Sequence, residues 1–201
     1  MRNFLAGLAM LPMILATAAA SAQDLAGDRS VGEVSFSDDT MQLRYRDAGQ
    51  KMDVGEGGRA SVALFLSESR DIVLFGDVLF PAGLGSNLFQ LTFGPRVYAA
   101  LLEDENSDVL SVSLGGEARF KLTSDGRFAV SAQAFYAPDI LTFGTADSLT
   151  DLSARVEFQL QDRLTVFGGM RWFEFELLEE IDGSDERTLQ EELFAGLAWQ
   201  F

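Results

Sequence analysis

Charged side chains of both signs recur at every second position along the middle of this chain. Glu117 and Arg119 fall in one stretch, Arg155 and Glu157 in another, and Arg96 in a third. Residues two apart point to the same face of an extended strand, so each set occupies one face with apolar residues opposite. The chemistry open to such a set is mutual neutralisation inside a shared interior. It would be either a packed plug of ion pairs or the lining of a narrow pore. Paired carboxylates can also do general acid–base work, but acidic pairs are abundant here and nothing singles one out. The chain has no histidine and no cysteine. Neither a Ser-His-Asp nor a Cys-His nucleophile can be assembled, nor a His-bearing transition-metal site. The expectation is a protein that is not an enzyme, with no catalytic residue, no cofactor and no resident metal.

A second candidate is the connection from Ala137 to Ser148, which carries Pro138, Asp139, Phe143, Gly144 and Asp147. Its apolar residues are not needed in a purely solvated loop. Asp139 and Asp147 offer the oxygen ligands that a hard cation such as calcium takes. The plainer reading is an ordered loop packing its own aromatics, Phe143 among them. Gly168-Gly169 reads as a strand glycine pair that permits curvature or close packing, not as a phosphate-binding loop.

Strands must position these residues, because almost everything after residue 38 has a period of two. The clearest segments are Asp39–Arg46, Arg59–Glu68, Asp71–Phe80, Leu88–Leu102, Val109–Leu122, Arg127–Tyr136, Leu149–Leu160, Arg163–Leu178 and Thr188–Phe201. Turn-forming clusters such as Ser124-Asp125-Gly126 and Asp182-Gly183-Ser184-Asp185 separate them. Nine strands cannot close an up-and-down barrel with both ends on one side. A weak strand at Val31–Ser37 makes ten; merging or discarding one N-terminal segment makes eight. Arg163–Leu178 changes the parity of its apolar residues near Trp172-Phe173, which predicts a bulge. The connections Glu179–Arg187 and Ala137–Ser148 are expected to be long and on one side, and Gln161-Asp162 and Thr123–Gly126 tight and on the other.

A soluble sandwich would show the same alternation. Three features favour strands that cross a membrane. Several segments reach ten or more residues, as a tilted crossing needs. Aromatics gather toward segment ends, at Phe89, Phe120, Phe128, Tyr136, Phe158, Trp199 and Phe201. The charges on the polar face are of mixed sign, which suits an interior, whereas Arg or Lys facing lipid at mid-depth would cost about 2–4 kcal/mol each.

The two ends of the chain agree. Arg2, an apolar stretch from Phe4 to Ala16 and the triplet Ala20-Ser21-Ala22 predict a secretory leader at residues 1–22, cut before Gln23. The fold then belongs to one domain over residues 23–201. At the C-terminus, Leu193, Ala195, Leu197, Trp199 and Phe201 share one parity and run out to a terminal aromatic. Leu197, Trp199 and Phe201 resemble the signal by which barrel-assembly machinery recognises outer-membrane barrels. The whole chain carries a net charge of −16, which argues against nucleic acid. Export without disulfides suits a Gram-negative envelope protein. The acidic runs Glu103-Asp104-Glu105 and Glu179-Glu180 through Asp185-Glu186 are candidate sites for divalent cations bridging to lipopolysaccharide phosphates; solvated charge is the commoner outcome.

The stretch Ala134-Phe135-Tyr136-Ala137-Pro138-Asp139-Ile140-Leu141-Thr142-Phe143-Gly144-Thr145-Ala146-Asp147-Ser148 resembles a Y-A-P-D-x-L-x-F-G-x-A-D motif of the YfaZ family of outer-membrane proteins. Ala154-Arg155-Val156, Val166-Phe167-Gly168-Gly169-Met170-Arg171 and Leu114-Gly115-Gly116-Glu117-Ala118 are also similar to that family. The resemblance implies a small outer-membrane barrel and supplies no catalytic or ligand residues. The expectation is therefore an all-β, antiparallel up-and-down transmembrane barrel in the outer membrane, with lipid and lipopolysaccharide as its surroundings. Its lumen is charged and largely filled, and its role structural, adhesive or that of a narrow, porin-like, cation-preferring pore. The rival is a soluble periplasmic lipocalin-like barrel with apolar residues lining a ligand cavity.

Overall fold

The computed structural model describes residues 29–47, 58–83, 88–102, 107–181 and 184–201. The expected leader at residues 1–22 and the acidic run at 103–105 lie outside the described residues. Eleven strands are described: β1 Val31–Phe36, β2 Thr40–Asp47, β3 Arg59–Ser67, β4 Ile72–Pro81, β5 Phe89–Leu102, β6 Ser107–Lys121, β7 Phe128–Ala137, β8 Thr142–Gly144, β9 Ala146–Gln161, β10 Leu164–Ile181 and β11 Ser184–Gln200. Ten of them pair antiparallel in chain order, and β1 pairs with β11, so the sheet closes on itself. The weak first strand is real, and ten is the count. Short β8 continues the line of β7 along β6, pairing Thr142–Gly144 with Val109–Ser111 after a one-turn 3-10 segment at Asp139–Leu141.

The register sets the shape. Stepping sideways from Leu101 of β5 leads through Ile72, Leu66, Met41 and Phe36 to Ala195. From there Gly168, Val156, Val130 and Phe120 lead back to β5 at Phe89. The circuit returns twelve residues displaced. Ten strands with a stagger of twelve, at about 3.3 Å per residue and about 4.8 Å between strands, tilt by about 40° and enclose a radius of about 10 Å. An interior that narrow is filled by side chains.

The faces follow the sequence parity. On β5 the residues Phe93, Val97 and Leu101 are exposed, while Thr92, Arg96 and Tyr98 are buried. On β6 Leu110, Leu114 and Phe120 point out, and Ser111, Ser113 and Glu117 point in; on β9 Leu152, Val156 and Leu160 oppose Asp151 and Glu157 in the same way. The apolar faces are thus outside and the polar faces inside, the reverse of what a lipocalin-like cavity requires. The aromatics cluster near the end that holds both termini. There Phe89 pairs across strands with Phe120, and Phe128 stacks on Phe158 with ring centroids 4.5 Å apart. Trp199 and Phe201 lie at the same end, where the Phe201 N–H donates to the Ser30 carbonyl at 3.0 Å and finishes the β1–β11 seam.

Three expectations are corrected. First, Glu179–Arg187 is not a long loop. β10 runs to Ile181 and β11 starts at Ser184, so most of it is hairpin. Second, the end opposite the termini is not reserved for long connections. Ala137–Ser148 lies there and Gln161-Asp162 and Thr123–Gly126 are tight at the terminal end, as expected, but β1–β2 and β3–β4 also turn tightly at that opposite end. Third, β10 keeps its backbone parity through Trp172-Phe173. Arg171, Phe173, Phe175 and Leu177 are all buried, and Trp172 is exposed. What changes there is the chemistry of each face. The bulge lies instead on the partner strand, where Phe173 pairs with Gln190 and Glu174 with Thr188, leaving Leu189 as the extra residue.

Candidate functional site in the barrel lumen

The lumen is built in two layers. Toward the terminal end, inward-facing positions carry charge. Toward the opposite end, the same parity carries Phe65, Val73, Phe75, Tyr98, Leu149, Phe173 and Phe175, which form one apolar cluster. Phe173 touches Phe65 edge-on at 5.5 Å and Tyr98 at 5.7 Å between centroids. Beyond this cap, Arg187 of β11 reaches across the opening to Asp71 in the β3–β4 turn at 3.1 Å.

Asp151 is the centre of the charged layer. Arg171 donates to both its oxygens, from Nε at 2.8 Å and Nη2 at 2.9 Å. The Tyr98 hydroxyl donates at 2.8 Å and Arg96 Nη1 at 3.1 Å. Arg96, 1 % exposed, also pairs with Asp77 at 2.8 Å. Its guanidinium lies 3.6 Å above the Phe135 ring, and that of Arg171 lies 4.4 Å from Phe173. The planar, weakly hydrated guanidinium can stack on an aromatic face while its edge pairs with carboxylate, which is why arginine can stand at the junction of the two layers.

A second chain of pairs runs nearer the termini. Arg119 and Arg155 each meet Glu157 at 2.9 Å, Arg155 meets Glu33 at 3.1 Å, and Arg46 joins Glu33 at 3.5 Å to Glu117 at 3.7 Å. Gln133 accepts from Arg96 of the Asp151 group at 3.2 Å and from Arg44, which belongs to neither group, at 3.5 Å. All five lumen residues expected from sequence, Arg96, Glu117, Arg119, Arg155 and Glu157, therefore face the interior. Arg119, Arg155 and Glu157 meet directly, Glu117 joins through Arg46, and Arg96 belongs to the Asp151 group. Sequence reasoning missed Glu33, Arg44, Arg46, Asp77, Asp151 and Arg171. The signal was there: Gln42, Arg44 and Arg46 alternate with Met41, Leu43 and Tyr45.

Two small cavities lie among these side chains. The larger, about 30 Å³, is lined by Glu33, Gln42, Arg44, Asp151, Arg155 and Arg171 among others, and the smaller holds about 10 Å³ between Arg44, Arg96 and Glu117. At about 10–15 Å³ per water, the larger has room for two or three waters and the smaller for one.

The Ala137–Ser148 candidate is an ordered flap. Asp139 accepts from the Ile140 N–H at 2.6 Å, and Thr142 Oγ1 donates to the Pro138 carbonyl at 3.1 Å. Phe143 is exposed and pairs across strands with Leu110. Asp147 lies at the start of β9, skipped in the register with β10. No group of three or more metal-ligating side chains gathers among the described residues. Of the expected insertion residues, Leu197 and Trp199 present their side chains outward on β11, and Phe201, one residue past the strand, is also exposed.

The family model described as YfaZ precursor matches residues 4–201. No curated protein matches the sequence. Among solved structures, a chain titled bacterial polysaccharide outer membrane secretin is similar at 13 % identity and a TM-score of 0.45, over 85 % of this chain and 69 % of that one. With nearly its whole length matched by the family model, the ten-stranded barrel belongs to the YfaZ family.

Proposed function

We propose that this chain is an integral outer-membrane barrel with a closed lumen, non-catalytic, acting through the rim at its far end in a structural or adhesive role. The observation that carries this reading is an inversion of polarity along β9, β10 and β11. Below the row Glu191–Trp172–Leu152, outward positions are apolar: Leu193, Met170 and Val156 are exposed. Above it, outward positions are Glu174, Thr150 and Glu176, while the interior becomes aromatic. Apolar outside and charged inside suits lipid; polar outside and apolar inside suits water. Trp172 sits on the boundary, with its indole N–H donating to Glu174 at 2.9 Å, as interfacial tryptophans do. On β5 the uncharged outward face from Phe89 to Leu101 spans twelve residues, or about 30 Å at the derived tilt. That matches a hydrocarbon core.

With the termini in the periplasm, β9–β11 stand above the outer leaflet, far beyond β1, which ends against Ala195. From Leu193 outward, β11 has a strand neighbour on one side only among the described residues. A strand edge of that kind can accept a further strand, which supports the adhesive reading. The ion-pair layer and aromatic cap support closure over conduction. Lipid and lipopolysaccharide are then its partners, the assembly machinery reads its last strand, and divalent cations are candidate bridges at its acidic rim.

The test is depth quenching. In vesicles carrying lipids brominated near the headgroup, both Trp172 and Trp199 are quenched, and lipids brominated at the chain ends quench them less. Tryptophans indifferent to both lipids, with the protein released by osmotic shock, would return the reading to a soluble barrel.

A further inference from the structure

Seven arginines, at 44, 46, 59, 96, 119, 155 and 171, and five carboxylates, at 33, 77, 117, 151 and 157, line the charged layer. Five of those arginines have a carboxylate within 4 Å. Half-buried Arg59 and buried Arg44 have none among the described residues, and Arg44 is the one enclosed. It is 7 % exposed, and its one hydrogen bond is the 3.5 Å contact from Nη1 to Gln133. Its Nε is buried without an acceptor. A buried cation with an unmet donor is costly, and this one borders both lumen cavities.

We propose that the larger cavity is a binding site for one small monovalent anion of halide size, held by Arg44. The charge balance on its wall favours this. Arg44, Arg155 and Arg171 face Glu33 and Asp151, leaving one positive charge. Both carboxylates are already engaged: Glu33 by Arg155 and Arg46, Asp151 by Arg171, Arg96 and Tyr98. Neither is available to Arg44. The remaining lining, including Gln42, Gln133 and Ser153, offers further polar groups. At about 30 Å³ the space suits a single halide with a water. The overall charge of the chain is strongly negative, so such a site is a local property of the lumen.

The probe is chloride. In folded protein in zwitterionic detergent, the ³⁵Cl resonance broadens beyond the buffer value, the excess saturates, and bromide displaces it. Arg44→Met, with its barrel confirmed by heat-modifiable gel mobility, loses the excess. As a second measurement on the wild type, the thermal midpoint rises with chloride at fixed ionic strength when gluconate is replaced, since a ligand that binds only the folded state stabilises it. Retained broadening in Arg44→Met, or wild-type midpoints that are equal in chloride and gluconate, overturns the proposal. If Arg44→Met does not fold, the wild-type comparison decides.

Discussion

Replacing Asp151 with alanine tests the lumen architecture most sharply. The carboxylate accepts four hydrogen bonds from three residues, and Arg171 has no other carboxylate in the described network. Charge-assisted bonds of about 1.5–3 kcal/mol each would sum to more than the whole effect, because Arg96 keeps Asp77 and Arg171 keeps its 2.7 Å contact to Gln42. The relevant quantity is the cost of leaving one buried guanidinium uncompensated, about 3–5 kcal/mol. The adjoining cavity lets water reach it, so the loss should fall near 3 kcal/mol. Urea unfolding in lipid vesicles, followed by tryptophan emission and the heat-modifiable band, gives the number. The double variant Asp151→Ala with Arg171→Met, set in a cycle with each single variant, removes both charges together and should lose less than Asp151→Ala alone. A loss below about 1 kcal/mol for the single variant, or strict additivity in the cycle, would refute the claim that Asp151 organises the layer.

Arginine at Val97, near the middle of the outward β5 face, should destabilise the inserted barrel by about 2–4 kcal/mol, whereas arginine at Glu174 should change little; equal effects in vesicle unfolding would remove the boundary at Trp172. Gly144 has φ +101°, and an added Cβ would lie 2.0 Å from the Asp108 carbonyl oxygen. Gly144→Ala should therefore release β8 from β6 and expose residues 138–145 to protease while leaving the ten-strand barrel heat-modifiable. In planar bilayers the inserted wild type should carry no steady current, and steady open steps would reinstate the pore reading. Removing Phe201 should slow assembly in the cell, scored by the folded band, because it deletes the last seam bond to Ser30.

The sequence by itself determined what depends on neighbours along the chain. Alternation fixes which residues share a face, so the β5, β6 and β9 faces, with Arg96, Glu117, Arg119, Arg155 and Glu157 on their polar sides, could be read directly. It also showed nine strand segments, and two ends on one side demand an even number, which left ten or eight until the β1–β11 pairing decided. Which face is outermost was already favoured by the aromatic ends and the mixed charges. Partners across the lumen were not legible. Glu33 and Arg155 lie 122 positions apart, and their meeting depends on the stagger of twelve that closure imposes on all ten strands together. The aromatic cap was hidden for the same reason. Phe65, Tyr98 and Phe173 come from different strands, and only the tilt brings their rows to one height. The apparent slip in β10 shows the limit best: a local pattern cannot separate a backbone bulge from a change in the chemistry of each face. The structure keeps the backbone parity and changes the faces instead, outward residues passing from apolar to polar and inward ones from charged to aromatic, while the pairing with β9 continues without a shift from Thr165 to Glu176.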